Sequence, residues 1–157
     1  MPILTPPELK ERLATGQRLL GIDLGTKTIG LALSDSLQMV ASPLITLPRG
    51  KFSTDAEALS RLRREHGVVA LILGLPLNMD GSEGPRCQAT RAFARNLLGH
   101  DDPVIVFWDE RLSTAAVTRG MIDADLSRAR RAEIVDRAAA AYILQGLLDR
   151  LAYMPRT

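Results

Sequence analysis

Leu19-Leu20-Gly21-Ile22-Asp23 is followed by the turn residues Gly25-Thr26-Lys27 and then by Thr28-Ile29-Gly30-Leu31-Ala32-Leu33-Ser34. Two mainly apolar runs on either side of a short glycine-containing segment are typical of a β-hairpin. A third strand is predicted over Val40 to Leu47, and Pro43 favours an edge position for it because proline lacks the backbone donor that a central strand needs. The fold is therefore predicted to begin with three antiparallel strands.

Helices and strands alternate after these three strands. Thr54-Asp55-Ala56-Glu57 has the capping-box pattern that predicts a helix start. Val68 to Leu73 is apolar without alternation, as expected for a strand that is covered on both faces. A helix from about Pro85 and a strand over Val104 to Trp108 continue the alternation. Two helices complete the chain, one after Ser113-Thr114 and one over about Ser127 to Leu151.

The predicted order of elements is β-β-β-α-β-α-β-α-α, which is that of the ribonuclease H-like fold. In this α/β fold an antiparallel trio is extended by parallel strands into a five-stranded mixed sheet, with helices on both faces and right-handed crossovers. A chain of 157 residues fits one such unit. We expect a single domain over residues 18–157, with residues 1–17 as an N-terminal extension that decorates the surface.

Composition limits the classes of function. The chain is 46% hydrophobic and 24% charged, as soluble globular proteins are. It has no apolar run of about 18 residues and no signal-peptide pattern, so a cytoplasmic location without membrane contact is expected. The net charge of +2 permits nucleic-acid binding but argues only weakly for it. Cys87 is the only cysteine, which excludes an intramolecular disulfide and a cysteine-based zinc site.

Three carboxylates are candidates for a catalytic site. Asp23 lies in an apolar strand, where a charge is costly unless a metal, a hydrogen bond or a partner offsets it. A turn-capping Asp that binds the Gly25-Thr26 amides explains it equally well. Glu110 follows the strand that ends at Trp108, and sites in α/β sheets form where such strands end.

Asp136 is the third candidate, beside the apolar face of the last helix. The alanines at 138–141 allow that helix to approach the sheet closely and carry the carboxylate towards Asp23. The alternative is an ion pair of Asp136 with Arg137 or Arg131 on a solvated face. If the three carboxylates converge, their oxygens suit Mg²⁺ or Mn²⁺. Two such ions activate a water and stabilise the leaving oxygen when a phosphodiester is hydrolysed.

The loop from Gly74 to Arg86 joins a buried strand to a helix whose first turn has free amides suited to a phosphate. An arginine group upstream of Asp136 is also suited to gripping a nucleic-acid backbone. Aromatic residues make up only 4% of the chain, so stacking platforms for unpaired bases are poorly supported. The candidate nucleic-acid contacts are Lys27, Asn78, Ser82, Arg86, Arg111, Arg128, Arg130 and Arg131.

These segments together resemble the YqgF family, also called RuvX, whose members are described as Holliday junction resolvases and as pre-16S rRNA nucleases. The resemblance spans most of residues 19–150 and leaves residues 1–17 outside it. The matching segments are Gly21 to Gly30, Leu33-Ser34-Asp35, Gly74 to Arg86, Trp108 to Thr114 and Val135 to Ala139. The resemblance implies a nuclease that trims the 5′ end of pre-16S rRNA, with Asp23, Glu110 and Asp136 in its acidic site.

The chain departs from the wider fold at one position. Many ribonuclease H-like nucleases have an acidic residue at the end of the fourth strand, where this chain has Gly74-Leu75-Pro76. Either Glu110 substitutes from the next strand or Asp80 reaches back from the loop, and Asp35 is a further candidate for assistance.

Other functions stay open at this point. Asp23-Leu24-Gly25-Thr26 resembles the phosphate loop of actin-like and sugar-kinase ATPases, but those enzymes close two such domains around ATP and this chain has room for one. Branched DNA is an alternative substrate to pre-16S rRNA. A non-catalytic RNA- or ribosome-binding factor is an alternative of another class. The sequence does not fix the oligomeric state.

Overall fold

The computed structural model describes residues 3–112 and 128–155 of the chain, with the backbone alone for residues 128–136. The predicted helix after Ser113-Thr114 lies outside these residues. The strands are β1 (Ile3–Leu4), β2 (Arg18–Leu24), β3 (Thr28–Ser34), β4 (Ala41–Pro48), β5 (Val68–Leu75) and β6 (Ile105–Asp109). The helices are α1 (Pro6–Arg12), α2 (Phe52–His66), α3 (Pro85–Asp101) and α4 (Arg128–Tyr153), and a short 3-10 turn covers Glu110–Leu112.

The strands form one mixed sheet in the order β1-β6-β5-β2-β3-β4. β2, β3 and β4 are antiparallel neighbours, whereas β5 runs parallel to both β2 and β6. The prediction that the Asp23 strand is interior and that the Pro43 strand is at an edge is confirmed. The predicted number of five strands is wrong, because Ile3–Leu4 adds a sixth strand parallel to β6.

The N-terminal segment is part of the fold. Thr5 and Glu8 form a capping box that starts α1, which places Leu9 against the sheet with 2% of its surface exposed. Leu4 and Leu13 are also buried, in the same hydrophobic cluster as α4. The expectation that residues 1–17 decorate the surface is therefore wrong for these residues. A two-residue strand is too short to show a periodicity, so the sequence pattern did not reveal it.

Helices cover both faces of the sheet, as predicted. Leu19 of β2 belongs to a core cluster with α1 and α4, whereas its neighbours Leu20 and Ile22 belong to the cluster with α2 and α3. This alternation follows from the two-residue period of a strand. None of the helices in the described ranges is long and apolar enough to span a membrane.

α4 lies very close to the sheet. A Cβ at Gly21 would be only 2.8 Å from the carbonyl oxygen of Ala140 and 2.8 Å from Cβ of Leu144. Glycine in β2 and alanine in α4 therefore bring the two backbones together, as the small residues at 138–141 suggested.

α2 begins differently from the sequence prediction. The helix starts at Phe52, before the Thr54 to Glu57 pattern, and its N-cap residue Lys51 makes no side-chain capping bond. Asp55 instead accepts hydrogen bonds from the backbone N–H of Gly50, at 3.1 and 3.3 Å. The carboxylate thus stabilises the chain just before the helix, and the predicted capping box is wrong.

Candidate carboxylate site

Asp23 lies near the end of β2, on the face of the sheet that α4 covers. It pairs with Gly30 of β3, and the parallel register that joins Ile22 to Leu73 places it beside Gly74 of β5. Gly21, two residues before it, faces α4, and residues two apart on a strand share a face. Asp23 is 2% exposed, so its carboxylate is almost completely withdrawn from bulk solvent.

One of the two amides that the turn-capping explanation assigns to Asp23 has another acceptor. The N–H of Gly25 donates to the carbonyl oxygen of Thr28 at 2.9 Å and closes the β2–β3 hairpin through the backbone. That amide needs no carboxylate partner.

Glu110 reaches over the end of β5 because Gly74 has no side chain. A Cβ at Gly74 would lie 2.8 Å from Oε1 of Glu110 and 3.0 Å from its Cγ. Glu110 itself follows β6 and is 8% exposed. The space in which a side chain of β5 would stand is therefore filled by the carboxylate arm of Glu110. This geometry agrees with substitution from the next strand rather than with an acidic residue on β5.

Asp23 and Glu110 thus meet the same residue from two sides. Gly74 is the β5 neighbour of Asp23, and adjacent strands are about 4.8 Å apart. Gly74 also pairs with Trp108 of β6, two residues before Glu110. Both carboxylates therefore lie at the carboxyl end of the parallel strands, under α4.

The third predicted carboxylate is known only by its place in the backbone. Asp136 lies in α4, one helical turn before Ala140, whose carbonyl faces Gly21. Its side chain is outside the described residues, and convergence of all three carboxylates stays a prediction. Among the side chains that the structure describes, no group of three or more His, Cys, Asp or Glu residues is placed to hold a metal ion.

Asp80 and Asp35 are both engaged elsewhere. Asp80 Oδ1 accepts hydrogen bonds from the N–H and the hydroxyl of Ser82, and the bonds to Ser82 lower the pKa of the Asp80 carboxyl. Asp35 follows the end of β3 that pairs with the start of β2, and its Oδ1 accepts from the N–H groups of Met39 and Val40. Asp80 is therefore a loop-stabilising residue in this structure, and Asp35 lies at the opposite end of β2 from Asp23.

The predicted nucleic-acid loop contains a tight turn over residues 78–82, which we call the 78–82 turn. The N–H of Gly81 donates to Asn78 O at 2.8 Å, and the N–H of Asn78 donates to Ser82 O at 2.9 Å. The amide nitrogen of the Asn78 side chain donates to the Ser82 hydroxyl at 2.9 Å. Asn78 and Ser82, both predicted to contact nucleic acid, therefore hold this turn closed.

The base of the loop is fixed by an ion pair. Glu83 Oε1 lies 2.7 Å from Nε of Arg91 and accepts from the thiol of Cys87, which is buried. Burial, followed by the bond to Glu83, raises the pKa of the Cys87 thiol. These contacts connect the loop to the first two turns of α3 and give Cys87 a structural role.

Arg111 is paired with a carboxylate rather than pointing freely to solvent. Its Nε donates to both oxygens of Asp109 at 3.0 and 3.1 Å, and Nη2 lies 2.7 Å from Oδ2. The backbone N–H of Arg111 also donates to Asp109 Oδ1 at 2.9 Å. The side-chain hydrogen bonds from Arg111 are the main reason that the pKa of Asp109 is lowered.

Two of the remaining predicted nucleic-acid contacts, Lys27 and Arg86, lie among the described side chains, and three do not. Lys27, in the turn after β2, and Arg86, in the first turn of α3, are exposed. Gly84, the N-cap residue of α3, provides no side-chain capping bond, and the first turn carries no acidic residue. The side chains of Arg128, Arg130 and Arg131 lie outside the described residues.

Sequence reasoning missed Arg49. Its Nη1 donates to Gly25 O at 2.7 Å, its backbone N–H donates to Lys27 O at 2.9 Å, and its guanidinium lies 5.8 Å from the ring centroid of Phe93. Arg49 thus ties the end of β4 to the turn that follows Asp23. Only its place just after an edge strand hinted at this role.

Comparison with known proteins agrees with this architecture. A sequence model of the family described as "RuvX: Holliday junction resolvase" matches residues 17–150. A protein of Paramagnetospirillum magneticum named "Putative pre-16S rRNA nuclease" is 60% identical over 149 residues, which cover 95% of this chain and 96% of that protein. A Methylocella silvestris protein of the same name is 62% identical over 149 residues, covering 95% and 92% of the two chains.

Solved structures resemble the fold at low sequence identity. Thermus thermophilus RuvC in complex with a Holliday junction substrate gives a TM-score of 0.52 at 12% identity, covering 85% of this chain and 95% of that one. The yeast mitochondrial Holliday junction resolvase Ydc2 gives 0.52 at 13% identity, covering 92% and 85%. These similarities establish the ribonuclease H-like fold. With the family match over residues 17–150 and close relatives along almost its whole length, the chain belongs to the RuvX family.

Proposed function

We propose that this protein is a metal-dependent nuclease that hydrolyses phosphodiester bonds at the 5′ end of pre-16S rRNA. The single observation that carries this proposal is the position of the Glu110 carboxylate in the space above Gly74, next to the buried Asp23. The names of the close relatives support the same class of reaction and substrate. The cytoplasmic location expected from the sequence is compatible with a ribosomal precursor as substrate.

The two carboxylates fit a divalent cation. They are buried on one face of the sheet and offer hard oxygen donors, which Mg²⁺ and Mn²⁺ prefer. Two carboxylate charges on one face repel each other, and a divalent cation offsets this repulsion. Asp23 and Glu110 would hold the metal, and we propose Asp136 as the third ligand because α4 carries it one turn beyond the contact with Gly21. When bound, the metal would activate the attacking water and stabilise the leaving oxygen.

The protein itself would orient the substrate. Lys27 and Arg86 are exposed on the turn after β2 and on the first turn of α3, and each of these elements follows a strand of the site at its carboxyl end. Arg128, Arg130 and Arg131 precede Asp136 on α4 and would supply further phosphate contacts. α4 covers Asp23 and excludes bulk water from one side of the site, which strengthens electrostatic interactions there.

The test compares substrates under identical metal and salt conditions. Purified protein is incubated with a pre-16S 5′ fragment and with a four-way DNA junction, and with Asp23→Asn as the negative control. We expect cleavage of the RNA fragment by the wild type alone. Cleavage restricted to the junction would make the protein a resolvase. Binding of RNA with no cleavage of either substrate would make it a non-catalytic ribosome-assembly factor.

A further inference from the structure

The 78–82 turn is closed by its own hydrogen bonds, and a contact from outside the loop joins it to the end of β6. Arg111 supplies this contact, because its Nη1 donates to the carbonyl oxygen of Met79 at 3.3 Å. Gly81, at the corner of the turn, has a φ of +88° that favours glycine, and it lies beside the guanidinium, since a Cβ there would be in ordinary van der Waals contact with Nη1 at 3.5 Å. Arg111 thus contacts the turn from the end of β6.

Asp109 determines where the Arg111 guanidinium points. Nε and Nη2 are held by the Asp109 carboxylate, which leaves Nη1 directed to Met79. Asp109 is the last residue of β6 and Glu110 follows it directly, so the pair starts from the same backbone that carries the proposed metal ligand. The Asp109–Arg111 ion pair therefore connects the turn to the end of β6, next to Glu110.

We propose that Arg111 is a positioning residue that acts through Asp109: together they hold the 78–82 turn at the carboxylate site so that the turn can receive the substrate backbone. This inference rests on the proposed function. It replaces the sequence-based interpretation of Arg111 as a direct phosphate contact. A planar guanidinium binds both carboxylate oxygens through its rigid fork while Nη1 reaches a carbonyl on another side, whereas the ammonium of lysine is a compact point charge without such a fork.

Direct phosphate contact and positioning of the turn by Arg111 predict opposite changes in RNA affinity when the negative charge of Asp109 is removed. If Arg111 bound phosphate directly, Asp109→Asn would release the guanidinium and remove a repulsive charge, so RNA binding would become tighter. If Arg111 positions the turn, Asp109→Asn would loosen the turn and weaken binding, although it makes the surface more positive. The two single variants would then act through one contact, and their effects would not add.

The experiment uses the full-length protein as wild type, Arg111→Gln, Asp109→Asn, the double variant and Arg111→Lys. Arg61→Gln is the matched control, since it removes one exposed arginine charge from α2, which packs on the face of the sheet opposite to α4. Hydrogen exchange of the Asn78 and Gly81 amides reports the turn without any nucleic acid. KM and kcat for a pre-16S 5′ fragment report its use in the reaction.

We expect faster exchange at both amides in Arg111→Gln and in Asp109→Asn. KM should rise roughly threefold to tenfold in each, and kcat should change much less. The double variant should show no faster exchange and no higher KM than either single variant. Arg111→Lys should recover only part of the loss, and Arg61→Gln should match the wild type. Unchanged exchange in either single variant, or a lower KM for Asp109→Asn, overturns the proposal. If the wild type cleaves nothing, the proposed function fails, while the exchange rates still decide whether the ion pair holds the turn.

Discussion

The Glu110 carboxylate occupies the space that a side chain at Gly74 would need: a Cβ at Gly74 would lie 2.8 Å from Oε1 of Glu110, closer than a real Cβ contact allows. Gly74→Ala should therefore displace the Glu110 carboxylate. A displacement of about 1 Å at a catalytic group can lower the rate about a hundredfold, so we expect cleavage to become roughly tenfold to a hundredfold slower. The added methyl also meets Ile143 Cδ1 at 2.5 Å, so we expect a loss of stability of about 1–3 kcal/mol as well. Cleavage assays and urea unfolding measure the two effects.

Two control variants distinguish a displaced Glu110 carboxylate from a general loss of stability as the cause of slower cleavage. A Cβ at Gly99 in α3 would meet nothing within 4 Å, so Gly99→Ala should keep full activity and stabilise the helix by up to about 1 kcal/mol. Glu110→Ala should abolish cleavage, and it shows the effect of removing the carboxylate without adding a methyl group at position 74. If Gly74→Ala cleaves at the wild-type rate while folded, Glu110 does not act from the position above Gly74.

Asp23→Asn should abolish cleavage and weaken the stabilisation by metal. A ligand that binds only the folded state at a hundred times its Kd stabilises the fold by about 2.7 kcal/mol. We expect Mg²⁺ or Mn²⁺ to raise the melting temperature of the wild type and to raise that of Asp23→Asn much less. RNA binding should persist, because the proposed arginine contacts remain.

Asp35→Asn is the matched control for Asp23→Asn. It removes the same charge at the opposite end of the sheet, where Asp35 binds the Met39 and Val40 amides. Its response to metal should equal that of the wild type. An equal metal response in Asp23→Asn as well would remove Asp23 from the metal site.

The sequence predicted the interior strand and Asp23 because a charge between Ile22 and Leu24 stands out against apolar neighbours. It did not predict how Glu110 reaches the site, since that depends on the register between β5 and β6, which no local pattern encodes. The contacts of Arg111 were not predicted for a similar reason. Its sequence neighbours do not reveal that the guanidinium turns back to Asp109 and reaches Met79, which is 32 residues away in the chain.

The Asp35 carboxyl should make stability depend on pH in the acid range. The backbone N–H groups of Val40 and Met39 lower its pKa in the folded state. The unfolded chain therefore binds this proton more readily, so the stabilisation is complete above the unfolded pKa of about 3.9 and is lost as the pH falls through the folded pKa.

Urea unfolding of the wild type and of Asp35→Asn at several pH values measures this contribution. The wild type should be the more stable protein near pH 7, and the difference should shrink as the pH falls below about 4. An NMR titration of the carboxyl gives an independent check. A midpoint for Asp35 at or above its ordinary value would contradict the assigned role of the two amides.

Replacing Arg128, Arg130 and Arg131 together by Ala tests the charge that precedes Asp136 on α4. Each phosphate contact on a single strand contributes about 0.7 to the slope of log affinity against log salt concentration, through counterion release. If all three contact phosphate, the slope should flatten by about 2, and RNA affinity at low salt should fall for every sequence tested alike. Ala is a better helix former than Arg, so the helix itself should persist.

A triple variant with Arg61, Arg64 and Arg95 replaced by Ala removes the same charge from α2 and α3. The side chains of Arg61 and Arg64 are 65% and 66% exposed, and Arg95 is also exposed, so the fold should tolerate the change. General attraction between a positive protein and RNA predicts equal losses in both triple variants. Direct contact by the α4 arginines predicts that the salt slope flattens only in theirs, and an unchanged slope would place them on a solvated face instead.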